Sequence, residues 1–370
     1  MLGTIGIIIV VVLAFSLLIL IHEFGHFIIA KLSGVWVEEF GLGLPPRIFG
    51  KKIGDTIYSI NWLPIGGFVR LHGETSEEGV TKPTKAFVNK SKKARIAISI
   101  AGVVMNFILA IVCFAIVFSI TGIPTGKVQV KVINVANDTP AATAGFLSGD
   151  VVKKVGTSEI ADTEGFKSKV DEFRGKRVEI DVIRNEKETV LTVTPRANPP
   201  DGQGPLGVEI TDISEIYFPP IWQRPFIAAW YGTKQAVVAT KAVVFGLGQV
   251  AKDASHGKAP EHATGIVGIF ALLYYLAKVN PIDVINLIGV ISLNLAVINL
   301  VPFPPLDGSR ILSVIIEGIF GKKLESKIEE KINLIGFAIL IGLAALISVR
   351  EIVQLIHAGS ITTFVESILK

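Results

Sequence analysis

"LILIHEFGHFIIAK" (residues 18–31) puts two histidines and a glutamate inside the first hydrophobic run of the chain. An ionisable side chain at the centre of a bilayer costs about 2.5–3.5 kcal/mol on the insertion scale. His22, Glu23 and His26 therefore need partners, and their spacing suggests which. On a helix, positions i and i+4 share one face. H-E-x-x-H thus presents both imidazoles to one metal ion and sets the glutamate beside it as a base. The bland alternative is a set of interhelical hydrogen bonds with no metal. A zinc site satisfies all three groups at once.

The run around this motif, residues 4–30, has no charged stretch before it and is too long for a secretory signal, so it is expected to be a retained transmembrane helix. Residues 95–121, 282–303 and 332–349 are three further candidates, each long enough for a hydrocarbon core of about 30 Å. Half of the 370 residues are hydrophobic, which points to a multi-span membrane protein. A net charge of +4 with no basic stripe argues against a nucleic-acid partner. The single cysteine, Cys113, excludes a disulfide framework.

Lysine and arginine set the expected orientation. The 31–94 loop carries ten of them, with Lys31, Lys90, Lys92 and Lys93 close to the membrane ends. By the positive-inside rule that loop is cytoplasmic. The N-terminus and the long 122–281 segment are then outside. The 304–331 loop, with Arg310, Lys322, Lys323 and Lys327, returns to the cytoplasm.

Within the outer segment, residues 126–196 alternate apolar and polar positions ("KVQVKVINV", "KRVEIDVIR", "ETVLTVTP"), as strands of a small globular domain do. Residues 221–250 read as a helix lying on or bridging to the membrane, and 264–279 as an apolar stretch short for a span. Residues 36–70 are apolar but irregular, with Gly and Pro turns. They read either as short strands or as a loop on the inner membrane surface.

Catalytic zinc takes three protein ligands and keeps one position open. His72, His256, His262 and His357 fall outside the spans or near their ends, and topology sets none of them opposite the first helix. Asp307, in "NLVPFPPLDGSR", is the better candidate. It follows Pro304-Pro305, which cannot continue the third helix, and broken backbone at membrane depth is tolerated only against protein or a wet cavity. His22, His26 and Asp307 all fall near the inner ends of their spans. The alternative for Asp307 is an N-cap for a helix starting at Ser309.

With "HEFGH" in the first span, "LDG" after a Pro-rich break in the third, and a small domain between spans two and three, the chain resembles the site-2 protease family of intramembrane zinc metalloproteases. The closest likeness is to the bacterial type with one PDZ domain. The resemblance implies a multi-span α-helical membrane protein with four transmembrane helices, a membrane-associated β-loop (36–70) and an inserted extracytoplasmic PDZ-like α+β domain. It implies Zn2+ held by His22, His26 and Asp307, with Glu23 as the catalytic acid/base. Two positions depart from the family pattern: Val103 stands where a proline usually follows Ala-Gly, and Ile266 where Gly-Pro is common. Asn106 matches.

The resulting division is 1–121 (two spans with the motif and the β-loop), 125–213 (PDZ-like), 214–280 (membrane-adjacent connector) and 281–370 (spans three and four). "VINVANDTPAATAGFLSGDVVKKVG" resembles a PDZ core, and "GPLGVEI" (204–210) its carboxylate-binding loop. Such a domain binds peptide C-termini or simply filters bulky substrates. Asn294 and Asn299 are candidates to hydrogen-bond substrate backbone, or else ordinary interhelical contacts. The expected function is intramembrane endopeptidase in the cell membrane, with its active site near the cytoplasmic side. It would cut single-pass membrane proteins of the anti-sigma-factor or signal-peptide kind. The alternative is a membrane-anchored PDZ docking protein with a non-catalytic metal site, against which the intact Glu23 argues.

Overall fold

The computed structural model describes residues 4–74, 80–185, 187–200, 202–256, 264–321 and 326–369. His262, Lys322 and Lys323 lie outside the described residues. The chain divides into two units, residues 1–120 with 222–370, and residues 121–221.

The first unit is helical apart from one sheet. It contains α1 (Thr4–Leu32), β1 (Val37–Ile53), β2 (Thr56–Leu71) and α2 (Lys92–Thr121), then α5 (Arg224–Ser255), α6 (Ile266–Val279), α7 (Pro281–Leu300), α8 (Asp307–Phe320), α9 (Ser326–Ala358) and α10 (Ile361–Leu369). Among the described residues, four of its helices are long and apolar enough to cross a membrane: 5–32, 92–121, 281–300 and 328–358. They overlap the stretches expected from sequence. On α9, Leu334, Ile335 and Leu346 are each more than 60% exposed. Such a surface suits hydrocarbon, where a helix pairs every backbone polar group internally.

Small residues let these helices approach closely. A side chain on Gly25 of α1 would strike the Ala101 carbonyl of α2. Ser292 of α7 donates to the Asn106 carbonyl of α2 at 2.8 Å. The Phe15 and Phe270 rings stack at 4.6 Å and join α1 to α6. The N-terminus of α6 begins at Gly265, which has no capping side chain of its own. Glu351 of α9 serves instead, accepting from the Gly265 and Gly268 N–H groups at 2.6 and 3.1 Å. A carboxylate there pairs two orphan donors and complements the helix dipole.

The 36–70 region is a sheet. β1 and β2 are long bent strands that fold over one another, so that each pairs with the other along more than one stretch. Residues 39–42 of β1 pair with 57–60 of β2 on one side and with 67–70 on the other, and 47–53 pair with 56–61. Segment 67–71 is thus an edge, and it runs beside α1. Ser16 of α1 donates to the Pro64 carbonyl at 2.6 Å.

The second unit is a sheet in the order β7-β6-β4-β3-β8, all antiparallel, with the short β5 (Ser158–Glu159) on β4. Its main strands are β3 (Ile123–Val135), β4 (Val151–Val155), β6 (Val178–Arg184), β7 (Lys187–Val193) and β8 (Val208–Tyr217). Two helices, α3 (Pro140–Ala144) and α4 (Thr163–Glu172), complete it. Alternate strand residues such as Val130, Val132, Ile180 and Val182 fill the core with Phe146 and Phe166. Thr139 and Asp162 cap the two helices through the N–H groups of Ala142 and Gly165.

Asp150, in the "SGD" turn, is almost fully buried. Its carboxylate accepts two bonds from Arg184, both at 2.7 Å, and one from the Leu147 N–H at 2.9 Å. Burial pushes the Asp150 carboxyl up, but the Arg184 and Leu147 bonds outweigh it and hold it below the usual range. An aspartate depressed in the folded state adds stability above its unfolded value of about 3.9, and loses it as pH falls through the lower folded value. Asp150→Asn is therefore expected to cost about 2–3 kcal/mol at pH 7, below the 3–5 of a fully buried pair because Arg184 is 27% exposed. Hydrogen exchange of the 130–193 amides in the full chain should show the loss. The gap from wild type should narrow as pH falls below 4, and an undiminished gap there would contradict the assignment.

Candidate active site

His22, Glu23 and His26 lie within about the last three turns of α1. Asp307 reaches them from α8. Helix α7 stops at Leu300, and Pro302, Pro304 and Pro305 in the following loop have no N–H to continue it. Chain direction then reverses tightly. A Cβ on Gly308 would collide with the carbonyls of Leu300 and Val301, so only glycine fits after the aspartate. Leu306, not Asp307, is the N-cap residue of α8, and it makes no side-chain cap. Helix α8 starts at Asp307 itself, two residues before the start that the capping alternative assumed. The Asp307 carboxylate is turned onto the imidazoles.

Three ligand atoms converge. His22 Nε2 lies 3.1 Å from His26 Nε2, and Asp307 Oδ2 lies 3.1 and 3.3 Å from those two nitrogens. Ligands about 2.0–2.1 Å from a tetrahedral zinc are about 3.3 Å apart, so the spacing is that of a zinc site. The ring orientations agree. His26 Nδ1 is 2.7 Å from the Ile98 carbonyl, which only accepts, so Nδ1 carries the proton and Nε2 is bare. His22 Nδ1 faces the amide of the fully buried Asn106 at 3.3 Å, and Asn106 Oδ1 has no partner among the described residues. Exchanging the indistinguishable O and N of that amide lets Oδ1 accept from His22 Nδ1–H, which resolves the orphan and bares the second Nε2. Asp307 Oδ2 is likewise a buried acceptor without a geometrically sound hydrogen bond. A cation satisfies all three atoms. Gly102 of α2 forms the floor, because a Cβ there would come within 2.5–2.7 Å of both imidazoles.

The triad opens into a cavity of about 380 Å³ lined by Glu23, Asn299, Arg310, Glu74 and the β2 residues Phe68, Val69 and Leu71, among others. Glu23 Oε2 accepts the Val69 N–H at 3.0 Å, which fixes the carboxylate between α1 and the sheet edge. Asn299 lies in the cavity. Asn294 is not among its lining residues, and its amide donates to the Val290 carbonyl one turn earlier at 3.0 Å. Sequence reasoning did not single out Glu74, and it used Arg310 only to orient the loop, not as part of the site. The one available signal was that Arg310 stands three residues past Asp307, on the same helical face.

A buried His-His-Asp cluster of zinc dimensions, with a glutamate beside it on an apolar helix, defines a membrane zinc metalloprotease. The chain belongs to peptidase family M50, the site-2 proteases, whose family model matches residues 10–343. A protein of Clostridium perfringens whose name suggests a zinc metalloprotease is 33% identical, over 94% of this chain and 98% of its own length. The zinc metalloprotease RasP of Oceanobacillus iheyensis is 27% identical, over 93% and 98% of the two chains. The regulator of sigma-W protease RasP of Bacillus subtilis is 25% identical, over 93% and 97%. The protein is accordingly a metalloprotease, and its metal is zinc.

Proposed function

We propose that His22, His26 and Asp307 hold the zinc, that Glu23 is the acid/base, and that the enzyme cuts transmembrane segments of single-pass membrane proteins. The observation that carries this reading is the convergence of three bare ligand atoms at 3.1–3.3 Å. Bound zinc would acidify a water to a pKa of about 7 and polarise the scissile carbonyl. Glu23 takes the water proton on its carboxylate and returns it to the leaving nitrogen. The Val69 N–H keeps that carboxylate aimed at the cavity, while Ile98 and Asn106 keep the two imidazoles in register. A helical substrate hides its peptide bonds in its own hydrogen bonds. Unwound, it recovers them by adding to the 67–71 edge, with Asn299 as a further backbone partner.

The wider arrangement follows the same reading. The four long helices are the spans, with the triad on the cytoplasmic side by the positive-inside rule. The exposed Phe49 and Trp62, on a sheet that also exposes Lys51 and Lys52, support the reading of the β1–β2 sheet as a membrane-associated loop. Residues 125–213 form a PDZ-like extracytoplasmic domain. In support, β8 is an edge strand, and a cavity of about 310 Å³ lies between it and α4, lined by Phe166, Val170, Arg174, Leu206 and Val208. Residues 214–280 connect it to the last two spans. Membrane-anchored regulators of the anti-sigma-factor kind are the fitting substrate class, given what the Bacillus subtilis relative is named for.

The test is cleavage of a synthetic single-span peptide by purified protein. A zinc chelator should stop cleavage and one equivalent of zinc should restore it. Cleavage that persists in a protein stripped of metal would refute the reading.

A further inference from the structure

The edge of β2 beside the cavity presents two backbone donors, and carboxylates already hold both. In an antiparallel strand, alternate residues turn their N–H groups to opposite edges. The His72 N–H reaches the Trp36 carbonyl just ahead of β1 at 2.9 Å, so Leu71 and Val69 turn theirs away. Val69 donates to Glu23 at 3.0 Å and Leu71 donates to Glu74 Oε2 at 3.3 Å. The other Glu74 oxygen is paired with Arg310 of α8. Donors two residues apart along a strand are about 6.8 Å apart, the repeat of an extended peptide. Glu23 has a part in the proposed reaction, whereas Glu74 has none.

We propose that Glu74, clamped by Arg310, occupies the place on the Leu71 N–H that a substrate main-chain carbonyl takes, so that a productive substrate must displace it. This rests on the protease reading above. The carboxylate competes with a peptide carbonyl for that N–H, and because the bond is long for a charge-assisted one it excludes only weakly bound strands. The geometry suits exchange. The turn is held by two long bonds, Leu71 N–H to Glu74 and Glu74 N–H to the Leu71 carbonyl, both 3.3 Å. The backbone leading to it is pinned independently, with Phe87 N–H on the His72 carbonyl at 2.8 Å and Val88 N–H on the Gly73 carbonyl at 3.4 Å. Rotation of the Glu74 side chain, 17% exposed, is all that release requires.

The test uses the full chain with zinc and the single-span peptide. Glu74→Ala should lower KM about three- to tenfold with kcat within about twofold of wild type. Arg310→Gln should shift KM the same way by less, and should add nothing in the Glu74→Ala background, because both act through one pair. Binding of the uncleaved peptide to the Glu23→Gln protein should tighten by the same ratio when Glu74→Ala is added. An unchanged or raised KM in Glu74→Ala would overturn the proposal. If that variant does not fold, Glu74→Gln decides in its place, and loss of folded protein in both makes Glu74 a structural pin and overturns the proposal equally. A wild type that cleaves nothing, or a Glu23→Gln form that cleaves as well as wild type, would instead count against the protease reading.

Discussion

Glu23→Gln is expected to abolish cleavage of a single-span substrate while the protein still folds and binds zinc. General acid–base catalysis contributes about 10²–10⁴-fold, and Glu23 is asked both to take and to return the proton, so kcat should fall by about 10³-fold or more. The substitution is conservative in shape. A glutamine oxygen can still accept the Val69 N–H that the carboxylate accepts at 3.0 Å, so the contact between α1 and the sheet edge survives. What goes is the basicity. The measurement is a cleavage time course together with zinc content by mass spectrometry. A variant that keeps its zinc yet cleaves within tenfold of the wild-type rate would remove Glu23 from the chemistry and leave the site without a base.

Asp307→Ala is expected to empty the metal site. Catalytic zinc rests on three protein ligands, and loss of a mere supporting contact already costs about 10–100-fold in affinity, so losing a ligand outright should cost more. Zinc content after dialysis should fall from near one per chain to near zero, and activity with it. The fold around the site has independent support. Gly308 packs against the end of α7, and Ser309 bonds back to the Leu306 carbonyl at 2.7 Å through its hydroxyl. Arg95 and Lys92 of α2 hold Glu317 at the far end of α8. Asp307→Asn separates charge from shape: its amide can fill the space but is a poor zinc ligand, so it should behave like the alanine form. Full zinc retention in both variants, with loss in His22→Ala, would show that another group supplies the third ligand.

The long apolar helices and the H-E-x-x-H face were legible in the sequence because both depend on local pattern, namely length against bilayer thickness and the spacing of i and i+4. Asp307 was legible as a candidate for a related reason, since Pro304-Pro305 after the third apolar run announce a break that membrane depth makes conspicuous. The 36–70 region was legible only as irregular. Its strands pair with each other along three separate stretches, and register is a property of partners rather than of a segment. The sequence by itself thus determined which stretches are long and apolar enough to cross a membrane and which side chains are the candidates for metal chemistry. Only the tertiary structure decided what surrounds them. Asn106 meets His22 across 84 residues, Val69 meets Glu23 across 46, and Glu74 meets Arg310 on another helix. No periodicity encodes such contacts. They form where close helix packing at Gly25 and Gly102 and the turn at Gly308 bring buried polar atoms together, each of which must find a partner.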